Sequence, residues 1–377
     1  MLYRTMPQTG DLVSILGFGC MRLPLGPEGK IDEDRATALV RSAIERGVNY
    51  VDTAYPYHGG EGEPVVGRIL RDGFRERVHL ATKLPTWLVE SPEDFDRYLE
   101  EQLERLRTDH FDYYLLHSVN AERWERMRKH GFDKFLDRAL SDGRIRRAGF
   151  SFHDQLPLFK EMVDAYPWHF CQIQYNYLDS DYQAGAAGLK YASERGLGVV
   201  IMEPLRGGSL VRNVPPAVME IWNQSPKSYS PAAWALRWLW DQPEVSMVLS
   251  GMTTESDLED NLSAAEGAEP GCLDGKEKDM VGRVKAEYLS RMKVGCTGCQ
   301  YCLPCPAGVN IPECFNRYNI AFMFDDVKHA RETYSIFVRK NTEASLCVKC
   351  GACEEKCPQG LPIRKLLADV VELLEKK

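Results

Sequence analysis

Residues 35–52 read RATALVRSAIERGVNYVD, and two different periods meet within this stretch. Ala36, Leu39, Val40, Ala43 and Ile44 recur at spacings of three and four, which places them on one apolar face of a helix. Gly47 follows as a C-cap, and Val48, Tyr50 and Val51 then form a run rich in β-branched and aromatic residues, read as a strand ending on Asp52. A helix that stops at a glycine and hands the chain to an apolar strand is one step of a βα repeat.

Outward from this stretch the alternation recurs between residues 11 and 262. Apolar runs at 16–20, 48–52, 78–83, 112–117, 147–151, 170–174, 198–202 and 245–249 are expected as strands. Amphipathic stretches at 35–46, 64–70, 92–106, 133–141, 156–165, 184–195, 231–240 and 256–262 are expected as the helices between them. About eight such units in about 250 residues match an α/β fold of the (β/α)8 TIM-barrel type, with a doubly wound open sheet as the alternative. The barrel is accordingly expected over 1–262. Residues 263–276 are small, acidic and interrupted by Gly and Pro, and read as a surface linker. A second, smaller and mainly helical domain is expected over 277–377, with a charged helix at 277–293, apolar helical positions at Ile320, Phe322, Val327, Ile336 and Phe337, and a terminal helix at 363–374.

Composition narrows the class. With roughly 150 residues per domain as a guide, the length fits one large domain and one small one. Hydrophobic residues at 44% and charged residues at 27% exclude disordered and fibrous chains. A formal charge of −8 argues against a nucleic acid or an anionic membrane surface as partner. No apolar run approaches the roughly 18 residues of a membrane span, and the first residues lack the basic and apolar start of a secretory signal. A cytoplasmic location is expected.

Of the 12 cysteines, Cys20, Cys171 and Cys272 are scattered, whereas the rest fall between Cys296 and Cys357. Cys347, Cys350, Cys353 and Cys357-Pro358 form the C-x2-C-x2-C-x3-C-P run of bacterial ferredoxins. Cys296, Cys299, Cys302 and Cys305-Pro306 repeat it with a last spacer shorter by one residue. Two [4Fe-4S] clusters for electron transfer are expected, because tight turns at this spacing let successive sulfurs converge on one set of irons; tetrahedral zinc is the alternative. By the ferredoxin analogy the fourth cysteine of each run serves the other cluster. One would then use Cys296, Cys299, Cys302 and Cys357, the other Cys347, Cys350, Cys353 and Cys305, with Cys314 close enough in sequence to compete.

In a parallel barrel the chemistry sits where strands end at the carboxyl face. Asp52, Lys83 and His117 end three consecutive expected strands, and Tyr57 lies five residues past Asp52 on a short loop. With Gly17-Phe18-Gly19, Asp52-Thr53-Ala54, Tyr57, Lys83 and Leu115-Leu116-His117, the chain over about 11–262 resembles the aldo-keto reductases. The resemblance implies Tyr57 as proton donor to a carbonyl oxygen, Lys83 as the cation beside it, Asp52 as partner of Lys83 and His117 as orienting donor. A phenol is a poor acid at neutral pH unless a cation stabilises its phenolate, so Lys83 beside Tyr57 is a chemically sensible pair. Tyr55 is assigned to the substrate mouth or to packing. Cys20, near the mouth, is a minor redox candidate.

The resemblance also implies a nicotinamide site, with Ser151 and Gln174 holding the carboxamide and Asp260-Asn261 meeting the adenine. Three positions depart from the pattern: Phe152 stands for an Asn, Met202 for a stacking aromatic, and Asp257 for an Arg that grips a 2′-phosphate. A carboxylate at 257 repels that phosphate, so NAD is favoured over NADP. Each cluster passes one electron whereas a hydride carries two, so three functions stay open. The first is a nicotinamide-dependent reductase of a small carbonyl or dehydrogenase of an alcohol. The second is a cluster-driven reductase that takes electrons from a partner such as ferredoxin, with a flavin not excluded. The third is a redox sensor without catalysis.

Overall fold

The computed structural model describes residues 1–338 and 340–376. Two compact units divide them, one of Met1–Gly207 with Tyr229–Gly275 and one of Gly208–Ser228 with the chain from Lys276 onward.

The first unit opens with an antiparallel hairpin of β1 (Tyr3–Thr5) and β2 (Leu12–Ser14). Eight parallel strands then close on themselves: β3 (Leu16–Gly19), β4 (Tyr50–Asp52), β5 (His79–Leu84), β6 (Tyr113–Val119), β7 (Ala148–Phe152), β8 (Phe170–Gln174), β9 (Gly198–Met202) and β10 (Met247–Ser250). Closure is made by β10, which pairs with β9 on one side and β3 on the other. The sheet is therefore a barrel and not the open alternative. Met6, just after β1, and Val13, in β2, are buried with Tyr50, Tyr113, Phe170 and Met247 inside the barrel. The hairpin was not anticipated, because three-residue strands carry too little period-2 signal.

Every expected barrel helix forms, with boundaries shifted by at most two residues. A further helix, Ala121–His130, was not anticipated; its Asn120 cap accepts from the Arg123 amide, and only Trp124 and Met127 are buried. The stretch 263–276 differs from the expected surface linker. Ala264, Ala265 and Ala268 are buried in the barrel core, and the Arg237 guanidinium donates to the carbonyls of Ala264 and Glu266. Small residues there mark close packing, which composition alone reads as exposure.

The second unit contains helices Gly275–Ser290, Ile311–Met323, Val327–Phe337 and Ile363–Val370. Asn319 orders the approach to the first cysteine run: its carbonyl oxygen accepts from the amides of Lys293 and Val294, and its amide nitrogen donates to the Val294 carbonyl. Gly208–Ser228, which follows β9 in sequence, belongs to this unit by its contacts. Asn213 donates to Asp326, Arg283 donates to Gln224, and Lys227 pairs with Glu277. No helix among the described residues is long and apolar enough to cross a membrane.

Candidate active site and cysteine pockets

Parallel strands in register put their carboxyl ends at one rim, which is how residues far apart in sequence meet. Lys83 near the end of β5 is 1% exposed, and its ammonium has three neighbours: Asp52 Oδ1 at 2.6 Å, the Thr53 carbonyl at 2.7 Å and the Tyr57 hydroxyl at 3.3 Å. An ammonium has three protons, so each neighbour can receive one. Tyr57 starts a short turn, Tyr57–Gly60, in which His58 and Gly59 are left-handed. Gly62 follows where a Cβ would come within 3.0 Å of the Tyr57 carbonyl, so a side chain there would push the loop off the rim.

Burial is the largest influence on each of these groups. It pushes the Tyr57 phenol upward; Lys83 pulls it down, Asp52 and Glu203 add to the rise, and the net is above the ordinary tyrosine value. The expected lowering by Lys83 is thus present but outweighed, and Tyr57 rests as the protonated phenol. Burial opposes the charge on Lys83, but Asp52 and Tyr57 hold its pKa above the usual lysine range. Asp52 is raised by burial against the pull of Lys83.

His117, on β6, is pushed well below its ordinary value by burial first and then by Lys83, His153 and Arg123, so its imidazole is neutral. Its ring lies 6.1 Å from that of Tyr57, at 80°, and 5.2 Å from that of Trp87. The Thr86 hydroxyl donates to the His117 carbonyl at 2.7 Å. The register of β6 against β7 shifts between Leu116 and Val119, and Ser118 takes a φ of +53°, so a local irregularity aims the end of the strand. Tyr55 points elsewhere: its hydroxyl donates to Glu101 and its ring packs against Tyr98 and under Arg105. Packing, not the substrate mouth, is its place.

Around the rest of the rim, Ser151 is buried and its hydroxyl oxygen accepts from the Ser118 amide at 2.6 Å, leaving its proton to donate. Gln174 ends β8 and leans toward Asp179 at 3.4 Å. Phe152 is buried edge-on against Phe159, so it is part of the barrel wall. Met202 ends β9, half-buried. Asn261 donates to Ser250 at 2.6 Å, and Asp260 accepts from Ser230. Asp257 closes a capping box at the start of helix Glu255–Ala264, its carboxylate accepting from the amides of Thr253 and Thr254. Cys20 is fully buried and its thiol pushed up by burial, which removes the redox candidate. Sequence reasoning missed the Thr53 carbonyl and Trp87. Backbone carbonyls carry no sequence signal.

The second unit gathers four of the cysteines at one pocket and sets three others near one another. Cys296, Cys299, Cys302 and Cys357 line one small pocket of about 20 Å³, backed by Ile311, Phe315 and Ile363. Cys353 lies within electrostatic reach of Cys347 and Cys305. The two runs share a backbone pattern: Gly298 and Gln300 are left-handed in the first, Lys349 and Gly351 at the matching places in the second. Such reversals turn peptide N–H groups inward and suit an anionic cluster. Four thiols around one pocket are the donor set that a cubane takes, whereas zinc would draw the four sulfurs to about 2.3 Å from one centre. Burial raises Cys302 to about 11 and Cys314 to about 12. Cys314 is not among the residues around the pocket; it is fully buried, with its sulfur 3.6 Å from the Tyr334 hydroxyl, and serves packing.

Comparison with known proteins gives two family matches: the Aldo/keto reductase family over residues 15–268 and a 4Fe-4S dicluster domain over 295–361. The chain is 30% identical over 292 residues to an L-galactose dehydrogenase of Arabidopsis thaliana, covering 69% of this chain and 87% of that one. It is 25% identical over 303 residues to the aldo-keto reductase YhdN of Bacillus subtilis, covering 69% and 87%. Among solved structures, the holo form of aldo-keto reductase AKR11C1 from Bacillus halodurans superposes with a TM-score of 0.64 at 25% identity, covering 75% of this chain and 96% of that one. A Klebsiella pneumoniae aldo/keto reductase solved with NADP and acetate shares the fold at a TM-score of 0.62 and 22% identity, covering 74% and 94%.

Proposed function

This chain belongs to the aldo/keto reductase family and is an oxidoreductase with a 4Fe-4S-binding domain, and we propose that it interconverts a small carbonyl and its alcohol at Tyr57. The observation that carries this reading is the sharing of one buried ammonium by Asp52, the Thr53 carbonyl and the Tyr57 hydroxyl. Tyr57 holds the proton that a developing alkoxide needs. As that proton leaves, the phenolate is stabilised by the Lys83 cation 3.3 Å away, which Asp52 keeps in place. The neutral His117 imidazole, with Trp87 against it, supplies a second hydrogen bond to the same oxygen without adding charge.

A nicotinamide, when bound, supplies or accepts the hydride. Ser151, with a proton free to donate, and Gln174 would hold its carboxamide, Met202 would pack its ring and Asn261 would lie toward the adenine. The Klebsiella neighbour is known with NADP, but at 22% identity it speaks for the fold alone, so nucleotide choice rests on this chain's residues. Asp257 puts a carboxylate where a 2′-phosphate would lie and occupies two amides that could bind it, which favours NAD.

Two [4Fe-4S] clusters, one on Cys296, Cys299, Cys302 and Cys357 and one on Cys347, Cys350, Cys353 and Cys305, would supply single electrons. A second reading has a reduced partner such as ferredoxin replace the nicotinamide, through a flavin or without one. Phe152 buried in the wall, where the family pattern places an Asn, favours it. Anaerobic equilibrium titration with NADH and NADPH separates the two. Binding of NADH is expected; absence of both with turnover on reduced ferredoxin would establish the second.

A further inference from the structure

The Lys83 ammonium and the Tyr57 hydroxyl are 3.3 Å apart, and they stand on different elements. Tyr57 opens the turn Tyr57–Gly60, which runs into helix Gly62–Ile69, whereas Lys83 belongs to β5. Their separation is only as constant as the attachment of that helix to that strand.

Side chains alternate across a barrel wall, so with Lys83 turned inward its neighbour Thr82 faces the helices outside. Three polar side chains meet there, each 0% exposed: Thr82, Glu63 of helix Gly62–Ile69 and Gln102 of helix Glu93–Leu106. The Thr82 hydroxyl donates to Glu63 Oε1 at 2.6 Å, and the Gln102 amide nitrogen donates to the same oxygen at 2.5 Å. That nitrogen also lies 3.1 Å from the Lys83 carbonyl and 3.2 Å from Thr82 Oγ1. The Gln102 side-chain oxygen accepts from the Tyr114 hydroxyl at 2.8 Å, and Tyr114 is the register partner of Thr82 on β6. Arg105 donates to Glu63 Oε2 at 3.0 Å. Gly67 lets the two helices meet, since a Cβ there would come within 2.8 Å of the Arg105 and Leu106 carbonyls.

The donor and acceptor inventory fixes each orientation. A carboxylate and a peptide carbonyl only accept, so Gln102 must turn its nitrogen toward them and its oxygen toward Tyr114. Burial pushes the Glu63 carboxyl upward, and the protons brought by Thr82, Gln102 and Arg105 pull against it.

We infer that Gln102 is a positioning residue for the reaction at Tyr57: with Glu63 and Thr82 it locks the strand that carries Lys83 to the helix that follows Tyr57, and so sets the separation across which the proton leaves. This rests on the reading of Tyr57 as proton donor and adds the device that holds it.

Packing alone does not account for the arrangement. The rest of the buried face of helix Glu93–Leu106 is Phe95, Tyr98, Leu99, Leu103 and Leu106, against which an amide is the exception. A buried polar network is costly when incomplete, and when fully satisfied it makes one arrangement rigid. Catalysis responds to such rigidity, because a misplacement of about 1 Å costs about a hundredfold in rate.

Gln102→Met keeps the volume and removes both donor and acceptor. It would be compared with Thr82→Val, Tyr57→Phe, the double variant of Gln102→Met with Tyr57→Phe, and Leu99→Ala, which opens the same helix face without touching the network. Turnover of para-nitrobenzaldehyde by the cluster-loaded protein, with NADH or reduced ferredoxin as donor, gives kcat and KM. Gln102→Met is expected to lower kcat about tenfold with KM unchanged, and to lower it no further in the Tyr57→Phe background. Leu99→Ala should lower the melting temperature and leave kcat as it was. An equal fall in both backgrounds, or the same fall in Leu99→Ala, overturns the inference and leaves Gln102 a role in folding alone. A second readout needs no substrate. With tyrosine labelled by carbon-13 at its ζ position, the Tyr57 resonance, identified by its loss in Tyr57→Phe, should shift in Gln102→Met and Thr82→Val and stay in place in Leu99→Ala. An unmoved resonance overturns the inference whether or not the aldehyde is turned over, and does so without touching the proton-donor reading. Turnover that survives Tyr57→Phe rejects that reading instead, and the resonance then decides the positioning of the pair by itself. Should Gln102→Met lose its fold, Thr82→Val decides through the same resonance.

Discussion

Tyr55 and Tyr57 stand two residues apart on one loop, and their surroundings give them different tasks. Tyr57 shares the Lys83 ammonium, whereas Tyr55 donates to Glu101 and lies under Arg105. Tyr57→Phe is expected to lower turnover by about a hundredfold or more with iron content unchanged. Tyr55→Phe should cost about 1 kcal/mol of stability, for one hydrogen bond, and leave turnover near normal. Equal losses of turnover in the two variants would show that the loop's shape, not its proton, matters. His117 has a consequence for pH. An unfolded histidine binds a proton near pH 6.5, whereas the buried one, held well below that, does not. The unfolded state thus binds more protons as pH falls below about 6.5, and stability drops there with a slope of up to about 1.4 kcal/mol per pH unit from this residue. Melting temperatures of the unmodified chain and His117→Gln between pH 5.5 and 7.5 should converge toward acid, since both carry the same clusters; parallel curves would remove His117 as the cause.

At the scale of elements, the start of helix Glu255–Ala264 combines stability and selectivity in one side chain. Asp257 completes the capping box with Thr254, and in the proposed nicotinamide reading the same carboxylate would face a 2′-phosphate. Asp257→Arg removes the box and adds a guanidinium. The expected result is a melting temperature lower by a few degrees together with tighter NADPH binding, read by calorimetry and thermal unfolding on the same preparation. Tighter binding of NADPH than NADH by the unmodified chain would sink the argument from Asp257. The loop after β9 is the other element whose place matters. Gly208–Ser228 sits by sequence inside the barrel, yet Leu210 and Val218 are buried and Asn213, Gln224 and Lys227 bond to helices of the cysteine-bearing unit.

For the whole molecule, the proposed pair of clusters predicts a stoichiometry. Protein prepared anaerobically should be brown and carry close to eight irons per chain, as expected for two cubanes. Cys350→Ser should lower this toward four, whereas Cys314→Ser should leave it unchanged, because Cys314 is packed against Tyr334. Stoichiometric zinc without absorbance near 400 nm would refute the cluster assignment.

The strands at the rim were legible because a run buried in a barrel wall must be apolar, and the residue ending each run is where polarity returns. Asp52, Lys83 and His117 were found in this way, and the cysteine runs by spacing, since a cubane demands short turns between ligands. Composition failed where close packing and exposure use the same residues, as at Ala264, Ala265 and Ala268. Local sequence also could not balance opposing influences on one proton: it identified Lys83 as the cation beside Tyr57, but the burial that keeps the phenol protonated exists only once the barrel has closed. The rim itself likewise depended on closure. It is completed by β10 returning to β3, a pairing of residues some 230 apart in the chain, which no local pattern contains because the strands meet only after the sheet has curved through all eight.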